Sequence, residues 1–415
     1  MLNRRKNKFN FRENLTVLDI QSLERSISMQ ASNFTEWVLD FKNLESAPMS
    51  ETLGLVCQVL SKANDGHDFT VIVPKKKSLA KEWRDKNILN LLDKKHSASS
   101  YQGSSFYPAQ HYANSDDHFA IVNNVFKIVL SGAEGISRSD YAALEWAINE
   151  ISDNVLVHSE SPVGGILLVN RIDKQSGKVN FLVADCGRGI TNTLGEKFQN
   201  ESEVSVLDKA IREGITRDKS IGQGNGLFGS YEMSHQGKGS FKILSNNAVL
   251  RHDKGKLKIS KIDSNYRGTI VEATVDFSIE NLMASALTIN GQQYEPVDFI
   301  ELGYESPDDD YINFLVREEA RSYGTRFAGA PLKGRLVNFV NMYDHRIVIN
   351  FNDLPLLSSS FADEVVGKLL LQLGEHVFRA RFTVICSNEQ NNAIIQRSVA
   401  QRINDLNEVA LSNAA

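Results

Sequence analysis

A four-residue string, Phe-Thr-Val-Ile, occurs twice in this chain, at Phe69–Ile72 and at Phe382–Ile385, and its surroundings repeat with it. Upstream of the first copy, Trp37-Val38-Leu39-Asp40-Phe41-Lys42-Asn43-Leu44 reads as a buried strand ending in a polar turn. Upstream of the second, Ile347-Val348-Ile349-Asn350-Phe351-Asn352-Asp353-Leu354 does the same. Serine-bearing turns follow each (Ser46 to Ser50; Ser358 to Ser360), then helical patterns over Glu51 to Lys62 and Phe361 to Leu373. The shared string comes next as a second strand, and further helices follow at about Leu79 to Leu92 and Asn391 to Ile403. Strand, helix, strand, helix with unbroken apolar strands implies parallel βαβ units. One small α/β module therefore stands at each end of the chain, and what lies between is a different unit.

Single cores stop growing near ~250 residues, so a chain of 415 residues divides into several domains. Lys94 to Asp117 is polar, rich in Ser, Tyr and His, and nearly aperiodic; Pro307-Asp308-Asp309-Asp310 is an acidic turn. Both mark boundaries. The expected organisation is an N-terminal module over 1–95, a linker over 96–115, a central domain over 116–280, a second linker over 281–310 and a C-terminal module over 311–415. In the centre, Phe119 to Leu130 and Ser139 to His158 show helical periodicity, the latter with a stripe of Ala142, Trp146, Ile148, Ile151, Val155 and Leu156. Strands are expected at Gly165 to Arg171, Lys178 to Ala184, Ser240 to Leu244, Lys256 to Lys261 and Thr269 to Phe277. Helices followed by antiparallel strands, interrupted by a glycine-rich stretch, describe an α/β sandwich, a mixed sheet covered by helices. A doubly wound dinucleotide fold fits less well, because the glycines do not join a strand directly to a helix.

The formal net charge of −5 argues against nucleic acid as the partner, for which a basic face is expected. The start MLNRRKNKFNFR is basic and is expected to fray; Lys75-Lys76-Lys77 is expected to open a solvated helix. Cys57, Cys186 and Cys386 form no CxxC pair, which suits buried thiols in a reducing compartment. No apolar signal core follows the first charges, and no run approaches the ~18 apolar residues of a membrane span. The expectation is a cytoplasmic protein with no membrane contact.

Four short patterns in the centre carry chemistry. On the second central helix, Glu150 and Asn154 are four apart and share a face, a spacing that solvated helices also show. After an apolar strand comes Asp185-Cys186-Gly187-Arg188-Gly189-Ile190. An aspartate there can accept from an exocyclic amine, and glycines beyond it let a ligand ring approach the backbone. Gly222-Gln223-Gly224-Asn225-Gly226-Leu227 opens a helical segment, where free amides and a helix N-terminus suit phosphate. Arg267-Gly268-Thr269 starts a late strand. Each alone is a weak signal.

In this order and on these elements, the four resemble the GHKL (Bergerat-fold) superfamily: an ExxxN box, a DxGxG box, a GxGxG box opening a helix and a late Gly-Thr pair. The resemblance covers about 160 residues and implies ATP and Mg²⁺ as ligands. Asn154 would hold Mg²⁺, a cation that takes hard oxygen donors. Asp185 would take the adenine amine, with Gly187, Gly189 and Thr269 lining the purine. Gly222, Gly224 and Gly226 would hold the phosphates, and Leu227 is a further residue of the nucleotide site. Glu150 would be the catalytic base, within hydrogen-bond reach of the attacking water or hydroxyl. Thr191 to Ile221 would be a lid, whose Arg212, Arg217 and Lys219 are candidates for the γ-phosphate. His158, one turn beyond Asn154, is a further candidate to face this pocket.

The end modules resemble STAS-type domains, the C-terminal one more clearly through its run from Asn350 to Glu364. In anti-sigma-factor antagonists of that fold, a serine at this helix start is phosphorylated by a GHKL kinase. Ser358, Ser359 and Ser360 stand there; equally, serine caps helices, and Asp363 is placed for a capping box with Ser360. Ser50 is expected to cap in the N-terminal copy. A sensor histidine kinase needs a phosphoacceptor histidine on a helix, and neither His67 nor His252, the two histidines that precede Asp, fits. A gyrase-like enzyme needs a transducer domain, and the tail offers a STAS-like unit instead. Three functions remain open: an Mg-ATP-dependent regulatory ATPase or switch acting on protein partners through STAS-like domains, a protein serine kinase, and a non-enzymatic interaction protein. A homodimer is compatible with each.

Overall fold

The computed structural model describes residues 2–29, 34–133, 135–215, 226–276, 288–289, 292–293, 304, 310–320 and 322–414. The chain is of the α/β class, with three main sheets. The basic N-terminus is not frayed: it forms β1 (Asn3–Arg5) and β2 (Lys8–Asn14). The alternation in Lys8-Phe9-Asn10-Phe11 explains this, since it puts Phe9 and Phe11 on one face, both fully buried. They stack on Trp37 and Phe41 of β3 (Glu36–Ser46), with ring centroids 5.3 and 4.5 Å apart. Helix α1 (Val17–Ser28), closed by a Thr16/Asp19 capping box, connects β2 to β3. Helix α2 (Met49–Asn64) connects β3 to β4 (Asp68–Ile72), and β2, β3 and β4 run parallel. The helix expected at Leu79 to Leu92 is broken into α3 (Lys77–Asp85) and α4 (Ile88–Leu92) by Asn87, which is left-handed at φ +68°.

The central sheet has five antiparallel strands in the order β5-β6-β7-β9-β8: β5 (Tyr107–Tyr112), β6 (Gly165–Asp173), β7 (Lys178–Asp185), β8 (Ser240–Asp253) and β9 (Lys256–Asp276). Two expectations need correction here. Part of the expected linker 96–115 is β5, the sheet's edge; its Pro108 is tolerated because an edge strand has a side with no ladder to donate to. The strands expected at Lys256–Lys261 and Thr269–Phe277 are one continuous β9, because β8 also runs on and pairs along its length; Phe277 lies outside the described residues. Helices α5 (Ser115–Gly132) and α6 (Arg138–His158) cover one face. Helices α7 (Ile190–Gly195), α8 (Glu203–Ala210) and α9 (Gly226–Gln236) complete this unit. Beyond it lie two short strands, β10 (Thr288–Ile289) and β11 (Gln292–Gln293).

Strands β6 and β7 are apolar nearly throughout, which in an antiparallel sheet requires cover on both faces. Their side chains divide by period 2. Leu167, Val169, Phe181 and Val183 join the core under α5 and α6. Ile166, Leu168, Leu182 and Ala184 join a second core with Leu53, Val56 and Cys57 of α2 and with Leu39 and Phe41. Helix α2 is therefore sandwiched between the N-terminal sheet and the central sheet, and is buried on almost every side. Gln58 Nε2 donates to Arg267 O (2.8 Å), and Lys242 Nζ lies 2.8 Å from Ser50 Oγ and 3.1 Å from Glu51. Ser50 is not the cap expected of it: Pro48 holds that position, and Ser50 is buried beneath Lys242.

The C-terminal module is a parallel three-stranded sheet, β12 (Tyr311–Leu315), β13 (Arg346–Asn350) and β14 (Phe382–Ile385). Helix α10 (Val316–Glu319) and α11 (Arg326–Met342) join β12 to β13. Helix α12 (Ser359–Ala362), a π turn (Asp363–Gly367), α13 (Lys368–Leu373) and α14 (Glu375–Arg381) join β13 to β14, and α15 (Glu389–Ala414) follows. The repeated strands keep one register: Trp37 pairs with Phe69 and Leu39 with Val71, as Ile347 pairs with Phe382 and Ile349 with Val384. The likeness also reaches one βα unit further back, because Phe9 pairs with Leu39 as Phe314 pairs with Ile349.

This module packs on α5 through α11. Asn338 Nδ2 donates to Leu130 O (2.7 Å) and Ala133 O (2.6 Å), and a Cβ on Gly334 would overlap the Ser131 carbonyl. Glu319, almost fully buried, is paired with Arg335 and with Lys127 (3.2 Å). Among the described residues no helix is long and apolar enough to cross a membrane. Because Gly334 meets backbone rather than a movable side chain, Gly334→Val should force α11 off α5. A loss of about 1–3 kcal/mol is expected, seen as a lower urea midpoint of the full chain at unchanged m.

Candidate functional site

The site is built where α6 ends and β7 ends. Ser137 caps α6, its hydroxyl accepting from Asp140 N (3.1 Å), and Tyr141, Leu144, Ile148, Ile151 and Val155 hold the helix to the core. The edge strand fixes it as well. Tyr112 OH donates to Ser152 O (2.9 Å), and His118 Nε2 lies 2.6 Å from Ser152 Oγ. With the helix so held, Glu150 and Asn154 lie half-buried, one turn apart. Burial raises the pKa of Glu150 above the ordinary carboxylate value, and the charge of Asp153 adds to this. His158 is half-buried one turn beyond Asn154.

Gly226, the first residue of α9, lies against Glu150, so closely that a Cβ there would overlap the carboxylate. The ExxxN box and the last glycine of the GxGxG box therefore meet. Leu227 is partly buried against the core. Gly222, Gly224 and Lys219 lie outside the described residues, as does Arg217. Arg212 is paired with Asp208 (2.9 Å) on the exposed side of α8. The far end of α9 is tied to β8 by His235 Nδ1 and His252 Nε2, 2.9 Å apart.

Asp185 ends β7 and is 3 % exposed. Its Oδ1 accepts from Gly187 N at 2.8 Å, and the amide of Thr269 also bonds to the carboxyl. Burial nevertheless dominates and pushes its pKa up to about 7. Across the sheet, β9 bulges: Ser245 pairs with Thr269 but Asn246 pairs with Tyr266, leaving Arg267 and Gly268 as the extra residues. Gly268 takes φ +123°, open to glycine alone at little cost, and presses on the Asp185 carbonyl. Tyr266 OH donates to that same carbonyl at 2.6 Å.

The DxGxG turn is fastened at both ends. Arg188 N donates to Ser159 O (2.7 Å) at the end of α6, and Gly187 leaves no room for a side chain against that carbonyl. Asn246 Nδ2 donates to Arg188 O (3.0 Å), and Gly189, at φ +81°, packs on the Asn246 amide. Ser245 Oγ accepts from Ile190 N at 2.7 Å. Glu150 is thus joined to Gly226, and Asp185, Gly187, Gly189, Gly268 and Thr269 to one another, with α6 common to both groups. Tyr266, Asn246, Ser245 and Ser159 carry no motif signal, because their partners are set by non-local strand pairing. This cradle sets a buried carboxyl at its floor among glycines whose Cβ positions are filled by Ser159, Asn246 and the Asp185 backbone.

The serines stand apart from this cradle, in the C-terminal module. Ser358 is the cap, its hydroxyl accepting from Phe361 N (3.0 Å), while Ser359 and Ser360 are exposed on the first turn. Asp363 does not complete a capping box with Ser360, because the cap is Ser358 and Ser360 lies inside the first turn; Asp363 is instead held by Arg402 through two bonds of 2.7 Å.

The model of a STAS-like domain of unknown function (DUF4325) matches residues 328–392. The match begins in α11 and ends in α15, so a STAS-like domain is present in the C-terminal module. No curated protein matches the chain.

Asp185 yields a stability test. Its folded pKa, about 7, lies above the ordinary 3.8, so between these values the folded chain holds a proton that the unfolded chain releases. The resulting stability is fully present below about pH 4 and lost as pH rises towards 7. Asp185→Asn should remove this slope, so its urea midpoint should gain on wild type between about pH 4 and pH 7, the window that the two pKa values set. Parallel pH profiles for the two proteins would refute the assignment.

Proposed function

We propose that the central unit binds Mg-ATP as a GHKL ATPase does, and that the modules packed on its two faces make it a nucleotide-dependent switch. The observation that carries this reading is the convergence of separate sequence patterns. Gly226 of one glycine box touches Glu150, while Gly187 and Gly268 from two others close on Asp185 and the end of the Glu150 helix.

Asp185 would accept the exocyclic amine of adenine, with Gly187, Gly189 and Thr269 against the ring. Gly226 and the amides that open α9 would face the phosphates, where a helix N-terminus carries partial positive charge; by resemblance Gly222, Gly224 and Lys219 join them. Asn154 would hold the magnesium ion, which when bound neutralises charge on the phosphoryl oxygens. Glu150, made more basic by burial, would take the proton of the attacking water or hydroxyl.

The amine donates more strongly to an ionised Asp185 than to the protonated carboxyl, and in the empty site that carboxyl is protonated up to about pH 7. ATP binding should therefore release a proton near neutrality, and below that value affinity should fall by up to about tenfold per pH unit. Calorimetry in buffers of different ionisation enthalpy reads the proton directly. No proton release, or the same release in Asp185→Asn, would exclude this role.

A second reading, phosphotransfer to serine, is favoured by the exposure of Ser359 and Ser360. The fate of γ-labelled phosphate separates the two. Free phosphate that drops at least 100-fold in Glu150→Ala supports a switch run by hydrolysis, in line with the usual ~10²–10⁴-fold worth of a general base. Label retained on the protein, and lost in Ser359→Ala/Ser360→Ala, supports the kinase. ATP binding with neither product leaves nucleotide as a structural ligand.

A further inference from the structure

A cavity of about 830 Å³ opens between α1 of the N-terminal module and the segment that follows the DxGxG box. It shares Gly187 with the adenine cradle, but Glu150, Asn154, Asp185 and Gly226 do not line it. Its volume falls within the ~300–1,000 Å³ of small-molecule sites. Three guanidinium groups and two carboxylates line it: Arg25, Arg188, Arg267, Glu24 and Glu196. Arg188 and Glu196 neutralise one another, and Glu160 adds a second partner to Arg188 at 3.2 Å. Among the described residues neither Arg25 nor Arg267 has a carboxylate within ion-pair distance, and only Glu24 opposes them. Counted over the lining residues the surplus is one positive charge, and it lies on the side of Arg25 and Arg267, both exposed.

The cavity wall is bonded in place. With its amide oxygen turned inward, Gln21 accepts from Arg25 Nη2 (2.7 Å) and from Asn265 N (3.2 Å), which joins α1 to β9 and orients the Arg25 fork. The exposed amides of Asn265 and Gln199 add uncharged donors and acceptors. Guanidinium forks bind phosphate oxygens two at a time, and amides read the remaining polar edges.

We propose that this cavity is a second ligand site, for a phosphorylated metabolite of nucleotide size, with its phosphate between Arg25 and Arg267. The ligand bridges α1 to Arg188 and Gln199, so occupancy ties the N-terminal module to the segment that begins at the DxGxG box. The site meets the ATP reading at Gly187 but uses none of the residues assigned to chemistry, magnesium or the adenine amine, so the two can be tested separately.

The test uses the full chain with inorganic pyrophosphate as the probe, titrated calorimetrically in the absence of magnesium. Binding to wild type in the millimolar range or tighter is expected. Arg25→Ala and Arg267→Ala should each weaken it at least tenfold, and Arg267→Lys less, because a point charge replaces the fork. Asn154→Ala and Gly226→Ala, which touch only the candidate ATP site, should leave it unchanged. Failure of wild type to bind, or equal binding by the arginine variants, would overturn the proposal. So would loss of binding in Asn154→Ala or Gly226→Ala, which would place the pyrophosphate in the other site. ATP binding by the arginine variants, measured alongside, reports on the ATP reading separately.

Discussion

The central sheet is apolar on both sides, and the rest of the architecture answers that constraint. An antiparallel sheet normally leaves one face to water. Here Ile166, Leu168, Leu182 and Ala184 face away from α5 and α6 and are covered by the N-terminal module, chiefly through α2. Burial of apolar area at roughly 25 cal/mol per Å² makes such cover a condition of folding rather than an accessory. The N-terminal module is therefore part of the body that holds the candidate site. Its helix α2 reaches the site through Gln58, whose amide satisfies the Arg267 carbonyl within the β9 bulge.

That bulge shows how packing becomes chemistry. Two extra residues on β9 push Gly268 towards the Asp185 carbonyl, while Thr269 stays in register and turns its amide to the Asp185 carboxyl. The carboxyl is thereby fixed by backbone groups that do not depend on side-chain rotamers. It is also starved of water, which keeps it protonated to an unusually high pH.

Much of this was legible in the sequence because it is local. The shared Phe-Thr-Val-Ile string marks one strand in each end module, and Glu150, Asp185, Gly226 and Gly268 stand out through the order of four short patterns that together carry a family resemblance. What escaped was set at a distance. Strand β5 looked like a linker, because Tyr107-Pro108-Ala109-Gln110-His111-Tyr112 has no strong alternation and earns its place only by pairing with β6. The first twelve residues looked loose, because Phe9 and Phe11 become core only when Trp37 and Phe41 stack on them. Ser50 looked like a cap until Lys242, far along the chain, came down over it. Asn246 and Tyr266 brace the DxGxG turn without any pattern that would announce them.

Asn338 gives the last turn of α5 an unusual dependence. A helix ends with carbonyls that lack partners inside it, and most helices settle this with a neighbouring glycine, a local side chain or water. Helix α5 settles part of it with an amide from another module, bonded at once to Leu130 O and Ala133 O. The length of that helix is thus written more than 200 positions downstream in the chain, the separation that these two bonds span. During synthesis α5 emerges well before its terminator, so its final turn stays provisional until α11 has docked.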